Sequence, residues 1–320
     1  MSLPKLPIID IGDLRSAQLS DRKAVALQIR EVCHRLGFFY ITNHGIEETF
    51  LTQTLAEAKR FFDQPLELKN QVAIAHSPIS RGFEPIGYQT LDANAAPDLK
   101  EGYYIGVERD ETDPLVQANT PNHGPNQWCQ TLPGWQEHME EYFARMINLS
   151  TLLMQGIALS LDLNETFFSS LIDNPMAILR LLHYPPHPVD ANSKQLGCGT
   201  HTDWGCLTLL LQDQVGGLEV CMTNGEWIQA VPIPNTFVVN LGDMMARWTN
   251  DYYQSTPHRV VNRSGQERYS IPFFFDANYH ALVECLPTCV EHDRPPQYPP
   301  ITAGEHIMAM YHKTYNTSSV

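Results

Sequence analysis

Gly199-Thr200-His201-Thr202-Asp203-Trp204-Gly205-Cys206-Leu207-Thr208-Leu209-Leu210-Leu211 is the stretch that decides how this chain folds. It reads as two short β-runs, 199–203 and 207–211, with turn residues between them. Side chains along a strand alternate between two faces. Leu207, Leu209 and Leu211 therefore share one side, and their apolar neighbours point to burial on both. By the same period, His201 and Asp203 are expected on one face and Thr202 on the other.

Working outward, runs of this kind recur at 178–184, 218–222, 227–231, 237–240, 258–261 and 269–275. With the first two they make eight strands, the number of a jelly roll. The chain before residue 176 has another character. It alternates a strand (8–11), a helix (21–35), a strand (38–41) and a second helix (47–62) stopped before Pro65. Gly82, Pro85 and Gly87 break it into a loop. An aromatic β-like run at 101–107 follows. A long helical pattern at 135–161 carries apolar Met139, Phe143, Met146, Ile147 and Met154. Residues 304–315 read as a last helix. The expected fold is mainly β with flanking helices. A double-stranded β-helix (jelly-roll) core would occupy 176–303, and an N-terminal α/β region, 1–175, would pack its helices on one sheet. A C-terminal helix, 304–320, completes one structural unit.

The 320 residues, 43% hydrophobic and 18% charged, suit an ordered globular protein. A net charge of −15 and the lack of any Lys/Arg cluster argue against nucleic acid as a partner, and against anionic membranes. No stretch approaches the roughly 18 apolar residues of a membrane span, and residues 1–13 lack the pattern of a secretory signal. Seven cysteines, an odd count with no Cys-x-x-Cys, read as free thiols. A soluble, cytoplasmic protein is expected.

The chemistry begins with His201 and Asp203, joined by His258 from a distant strand. Two imidazoles and one carboxylate are the donor set that leaves open positions on non-haem Fe(II). Arg268 follows, and a guanidinium grips a carboxylate in a planar fork; Ser270, two residues on, can add a hydroxyl. Charge supports the assembly. Fe²⁺ with Asp203 is +1, a dianionic 2-oxo acid takes the sum to −1, and Arg268 restores neutrality, which a low-dielectric site tolerates best. Asn240 and Asp243 are read as neighbours that support the ligands or shape a turn. His44 is read as structural, and His183, His187, His280 and His292 as surface or hydrogen-bonded. Arg81, Phe83, Tyr103, Trp204 and Phe275 are the candidates for the substrate pocket. Phe275 is expected to share the face of Arg268 and Ser270.

Several segments together resemble the Fe(II)/2-oxoglutarate-dependent dioxygenases, in the branch related to isopenicillin N synthase. They are Pro7-Ile8-Ile9-Asp10, Gly37-Phe38-Phe39-Tyr40-Ile41-Thr42-Asn43-His44-Gly45-Ile46, Tyr184-Pro185-Pro186, His201-Thr202-Asp203, Asn240-Leu241-Gly242-Asp243, Ser255-Thr256-Pro257-His258-Arg259-Val260 and Arg268-Tyr269-Ser270. The resemblance implies iron on His201, Asp203 and His258, with 2-oxoglutarate held by Arg268, Ser270 and Tyr184. It also implies O2 as oxidant, succinate and CO2 as co-products, and ascorbate as the reductant in vitro. Related halogenases replace the carboxylate ligand, so Asp203 favours hydroxylation, desaturation or ring closure of a small molecule. Arg81 before Gly82-Phe83 resembles a substrate-contacting arginine of isopenicillin N synthase, which would suit an anionic substrate. One departure is Leu182, where plant relatives often carry Asn two positions before the pocket tyrosine. The alternative is an iron-dependent oxidase or oxidative cyclase that needs no 2-oxoglutarate, as in isopenicillin N synthase. A remoter one is a non-catalytic jelly-roll binding protein or a zinc hydrolase.

Overall fold

A computed structural model describes residues 5–91, 96–187, 195–290 and 294–315; His292 lies outside them. In chain order the elements are β1 (Ile8–Asp10), α1 (Leu19–Arg35), β2 (Phe38–Thr42), α2 (Glu48–Phe62), α3 (Leu66–Asn70), β3 (Gly82–Glu84), β4 (Glu101–Gly106), α4 (Pro114–Gln117) and α5 (Trp135–Ser160). Then come β5 (Pro175–Tyr184), β6 (Cys198–His201), β7 (Leu207–Gln212), β8 (Leu218–Cys221), β9 (Trp227–Gln229), β10 (Phe237–Leu241), α6 (Asp243–Trp248), β11 (His258–Val260) and β12 (Arg268–Asn278). β13 (Leu282–Val283), β14 (Ile301–Thr302) and α7 (Ala303–Tyr315) close the chain. The segment at 82–84, expected as a loop, pairs with β4.

The strands form a major sheet in the order β1-β2-β10-β7-β12-β5-β4-β3 and a minor sheet in the order β6-β11-β8-β9. β5 to β12 divide between the two sheets, four to each, which is the jelly roll. β1 to β4 extend the major sheet at both ends, so the N-terminal region is hydrogen-bonded to the core.

β12 shows why the two faces differ. Tyr269, Ile271, Phe273 and Phe275 pack in the core beneath the helices, with Leu179 and Leu181 of β5 and Leu207, Leu209 and Leu211 of β7. α5 adds Trp135, Met139, Tyr142, Met146, Leu149 and Leu153, at the spacing of three and four that makes one helix face. Between the sheets lies a second, smaller core that includes Phe38, Tyr40, Leu182, Tyr184, Val220, Val238 and Val260. Arg268 and Ser270 belong to that inner face. A helix-facing aromatic thus has no route into the interior of the jelly roll. Among the described residues no helix is long and apolar enough to cross a membrane.

Candidate active site

His201 ends β6, and His258 opens β11 directly across from it in the minor sheet. Asp203 lies past the end of β6, so strand alternation does not place it. The first turn of α6 does: the Asp243 amide donates to the Asp203 carbonyl at 2.8 Å, and the Met244 amide to the Trp204 carbonyl at 3.1 Å. Asp243 also accepts from Thr202 Oγ1 at 3.1 Å and Ser255 Oγ at 2.6 Å.

Each of the three side chains is aimed by a bond on its other polar atom. His201 Nδ1 donates to the Gly199 carbonyl at 2.8 Å, and His258 Nδ1 to that of Thr256 at 3.1 Å, leaving both Nε2 atoms as lone-pair donors. Asp203 Oδ2 accepts from Thr208 Oγ1 at 2.6 Å and Asn240 Nδ2 at 2.7 Å. Its Oδ1 faces the two Nε2 atoms at 3.7 and 3.6 Å. Bonds of about 2 Å to one first-row metal would set neighbouring donors about 3 to 3.5 Å apart. The ligand atoms all lie within 4.8 Å of one another, so the set fits a metal ion.

Protonation fits as well. Burial, and then the mutual repulsion of the imidazoles, holds His258 well below the usual histidine range. His201 is lowered chiefly by burial. Burial presses Asp203 upward, but His258, His201 and the Asn240 and Thr208 hydrogen bonds outweigh it and the net direction is down. Neutral imidazoles and an ionised carboxylate are the forms that bind metal. The thiol of Cys198 lies 3.8 Å from His201 Nδ1, on the side away from the ligand atom. Behind it, the buried Lys100–Asp98 pair fixes β6 through the Gly199 amide, 2.9 Å from Asp98 Oδ1.

Arg268 is 0% exposed. Its Nη1 donates to Ser270 Oγ at 3.0 Å, and its guanidinium lies 4.7 Å from the centre of the Tyr184 ring. Its Nε has no partner, and among the described residues no carboxylate lies within ion-pair distance. A buried cation in that state suits an incoming carboxylate. Leu182, where a polar residue was a family expectation, packs in the inter-sheet core.

A cavity of about 130 Å³ opens over His201 and Asp203. Trp204 and Arg81 line it, as expected. Phe83, Tyr103 and Phe275 do not: each is fully buried in the helix-facing core. Phe83 sits opposite Tyr103 across β3 and β4; both rings meet Phe61 of α2, and Tyr103 also meets Trp135 of α5. For Phe275 the expected parity is corrected: steps of two from Arg268 reach Ser270, Phe274 and Asp276. Phe274 and Asp276 line the cavity, as does Tyr104 rather than Tyr103. Counting in twos along 268–276 was the signal that would have found the first two. Ile307 and Tyr311 of α7 also line the cavity. His306 Nε2 donates to the Trp204 carbonyl at 2.8 Å, and the Trp204 and Tyr311 rings meet edge to face at 5.1 Å. The last helix thus lies across the mouth. His44 is structural: its Nδ1 accepts the Ile46 amide at 3.2 Å.

Fold and site together define a jelly-roll protein with three donor side chains that fit a metal ion and a buried arginine that no carboxylate among the described residues pairs with. Residues 175–277 match the 2OG-Fe(II) oxygenase superfamily, and residues 6–131 the family described as non-haem dioxygenase in morphine synthesis N-terminal. The chain is 41% identical to the 2-oxoglutarate-Fe(II) type oxidoreductase hxnY of Emericella nidulans, over 97% of this chain and 90% of that one. It is 36% identical to the 2-oxoglutarate-dependent dioxygenase citB of Monascus ruber, over 97% and 96%. A full-length Neurospora crassa protein solved with alpha-KG superposes with a TM-score of 0.86 at 31% identity, covering 96% of each chain. The chain belongs to the 2OG-Fe(II) oxygenase superfamily. It is a non-haem Fe(II)- and 2-oxoglutarate-dependent dioxygenase acting on a small molecule.

Proposed function

We propose that His201, Asp203 and His258 hold the Fe(II), and that Arg268 and Ser270, over Tyr184, hold the far carboxylate of 2-oxoglutarate. The observation that carries this reading is the set of three donor atoms turned to one point, each steered by a hydrogen bond on its other side. When bound, iron, dioxygen and 2-oxoglutarate supply the oxidant that attacks a substrate C–H bond, with release of succinate and CO2.

The chain's own work is positioning. Asn240 and Thr208 keep Asp203 from rotating, so one oxygen stays on the ligand face. Arg268 fixes one end of the co-substrate and thereby the orientation of the other. Tyr311, Ile307 and Trp204 cover the cavity and limit water. Arg81, buried and with its Nε unpartnered, supports an acidic substrate. The cavity suits a compact molecule, and the Neurospora crassa neighbour has been solved with thymine.

The test is succinate release from 2-oxoglutarate under Fe(II) and ascorbate, across a metabolite panel of small acids. Substrate-dependent succinate should vanish in His201→Ala together with tight Fe(II) binding. Product formed at full rate without 2-oxoglutarate would overturn the assignment of Arg268.

A further inference from the structure

Two charged groups in the cavity wall stand apart from the metal and co-substrate residues. Arg81 is 3% exposed; its Nη1 and Nη2 donate to the carbonyls of Ile79 at 2.9 Å and Asn122 at 2.7 Å. Among the described residues no carboxylate lies within ion-pair distance of it. The other cavity arginines are matched, Arg180 to Glu84 and Arg109 to Asp113. Asp276 is 8% exposed, and its Oδ1 accepts the Cys206 amide at 2.8 Å. Among the described residues nothing donates to its Oδ2, and no cation pairs with it.

The backbone gives way for both groups. A Cβ on Gly106 would come within 2.1 Å of the Arg81 guanidinium, and one on Gly205 within 1.5 Å of Asp276 Oδ1. Any other residue at either position would drive the charged group from its place. The β12–β5 register shifts between Asp276 and Asn278, and such irregularities re-aim side chains beside active sites. Burial also pushes the Asp276 carboxyl up to about 7, so its charged form lacks sufficient partners within the protein. A buried guanidinium with no carboxylate partner and a buried carboxylate with no cation partner among the described residues, both lining one small cavity, call for a ligand that carries the complement of each.

We propose that the cavity reads its substrate from two ends, Arg81 taking an acid and Asp276 taking an N–H or ammonium donor. The substrate class is then a small carboxylic acid bearing an amine or a ring nitrogen with hydrogen. This rests on the assignment of the cavity as the substrate site. The bland role for Asp276, a brace for the Cys206 amide alone, makes a different forecast. Asp276→Asn keeps an oxygen for that amide but turns the second atom from acceptor to donor.

The experiment titrates isosteric pairs of acids calorimetrically into anaerobic enzyme loaded with Fe(II) and 2-oxoglutarate. The pairs are proline against cyclopentanecarboxylate, pipecolate against cyclohexanecarboxylate, and pyrrole-2-carboxylate against furan-2-carboxylate. The nitrogen-bearing member should bind about 10-fold tighter or better. Asp276→Asn should erase that preference with 2-oxoglutarate affinity intact, whereas Arg81→Leu should weaken both members of each pair alike. Equal binding within the wild-type pairs, a preference that survives Asp276→Asn, or no binding by any of the acids overturns the proposal. The wild-type comparison decides even if a variant fails to fold. Failure of 2-oxoglutarate itself to bind would instead strike the reading of the site.

Discussion

Replacing Arg268 separates function from stability. The side chain is a fully buried cation whose protein partners are Ser270 Oγ, the Tyr184 ring and a long 3.5 Å contact from Nη2 to Gln212 Oε1. Arg268→Lys keeps the charge but loses the planar fork, and with it at least one charge-assisted hydrogen bond to the co-substrate. Such a bond contributes about 1.5–3 kcal/mol. At about 1.4 kcal/mol per decade, KM for 2-oxoglutarate should rise about 10- to 150-fold. The far carboxylate is held alike before and during reaction, so kcat at saturating 2-oxoglutarate should stay within about threefold. Arg268→Met goes further: it removes a buried charge that no carboxylate among the described residues neutralises. Its thermal midpoint in metal-free protein should be unchanged or higher, although 2-oxoglutarate binding is lost. Succinate release against 2-oxoglutarate concentration and a thermal melt together check this. A KM within twofold of wild type in Arg268→Lys would refute the assignment. A loss of about 3 kcal/mol or more in Arg268→Met would show that the cation is matched within the protein.

Asn240→Ala, which frees Asp203 Oδ2 from a 2.7 Å bond, should weaken Fe(II) binding about 10- to 100-fold in an anaerobic metal titration; undiminished affinity would count against its role. Asp276 gives a pH signature. Its folded value of about 7 lies above that of an unfolded aspartate, so the folded state binds the extra proton and stability falls as pH rises towards 7. Between pH 5.5 and 8 the metal-free wild type should lose about 2 kcal/mol relative to Asp276→Asn, and parallel curves in denaturant titrations would reject this. Tyr311→Ala removes an edge-to-face contact with Trp204 and should raise substrate KM about 2- to 10-fold without moving that of 2-oxoglutarate.

Much of this molecule was legible along the chain, because the period of its side chains is local. The eight β-runs between 178 and 275 and the four long helices follow from alternation and spacing, and the His201, Asp203, His258, Arg268 and Ser270 set from donor chemistry. The failures are as instructive. Asp203 sits past its strand, held by amides of α6 that contribute nothing to a β-pattern. Phe83 and Tyr103 are aromatic residues on β-runs, and nothing within those runs says which face meets helices and which meets the ligand. For Phe275 the count was available, and it points to Phe274 and Asp276.

Sequence by itself determined the eight strands of the jelly roll, the metal-binding donor set and the guanidinium with its hydroxyl neighbour, since each depends on residue type and short spacing. Only the tertiary structure decided which atom of each donor is free, that α7 crosses the cavity, and that Arg81 and Asp276 face the same space with no counter-ion among the described residues. Those properties depend on which groups from distant segments satisfy, or fail to satisfy, a buried polar atom, and burial is created only when the sheets and helices close together.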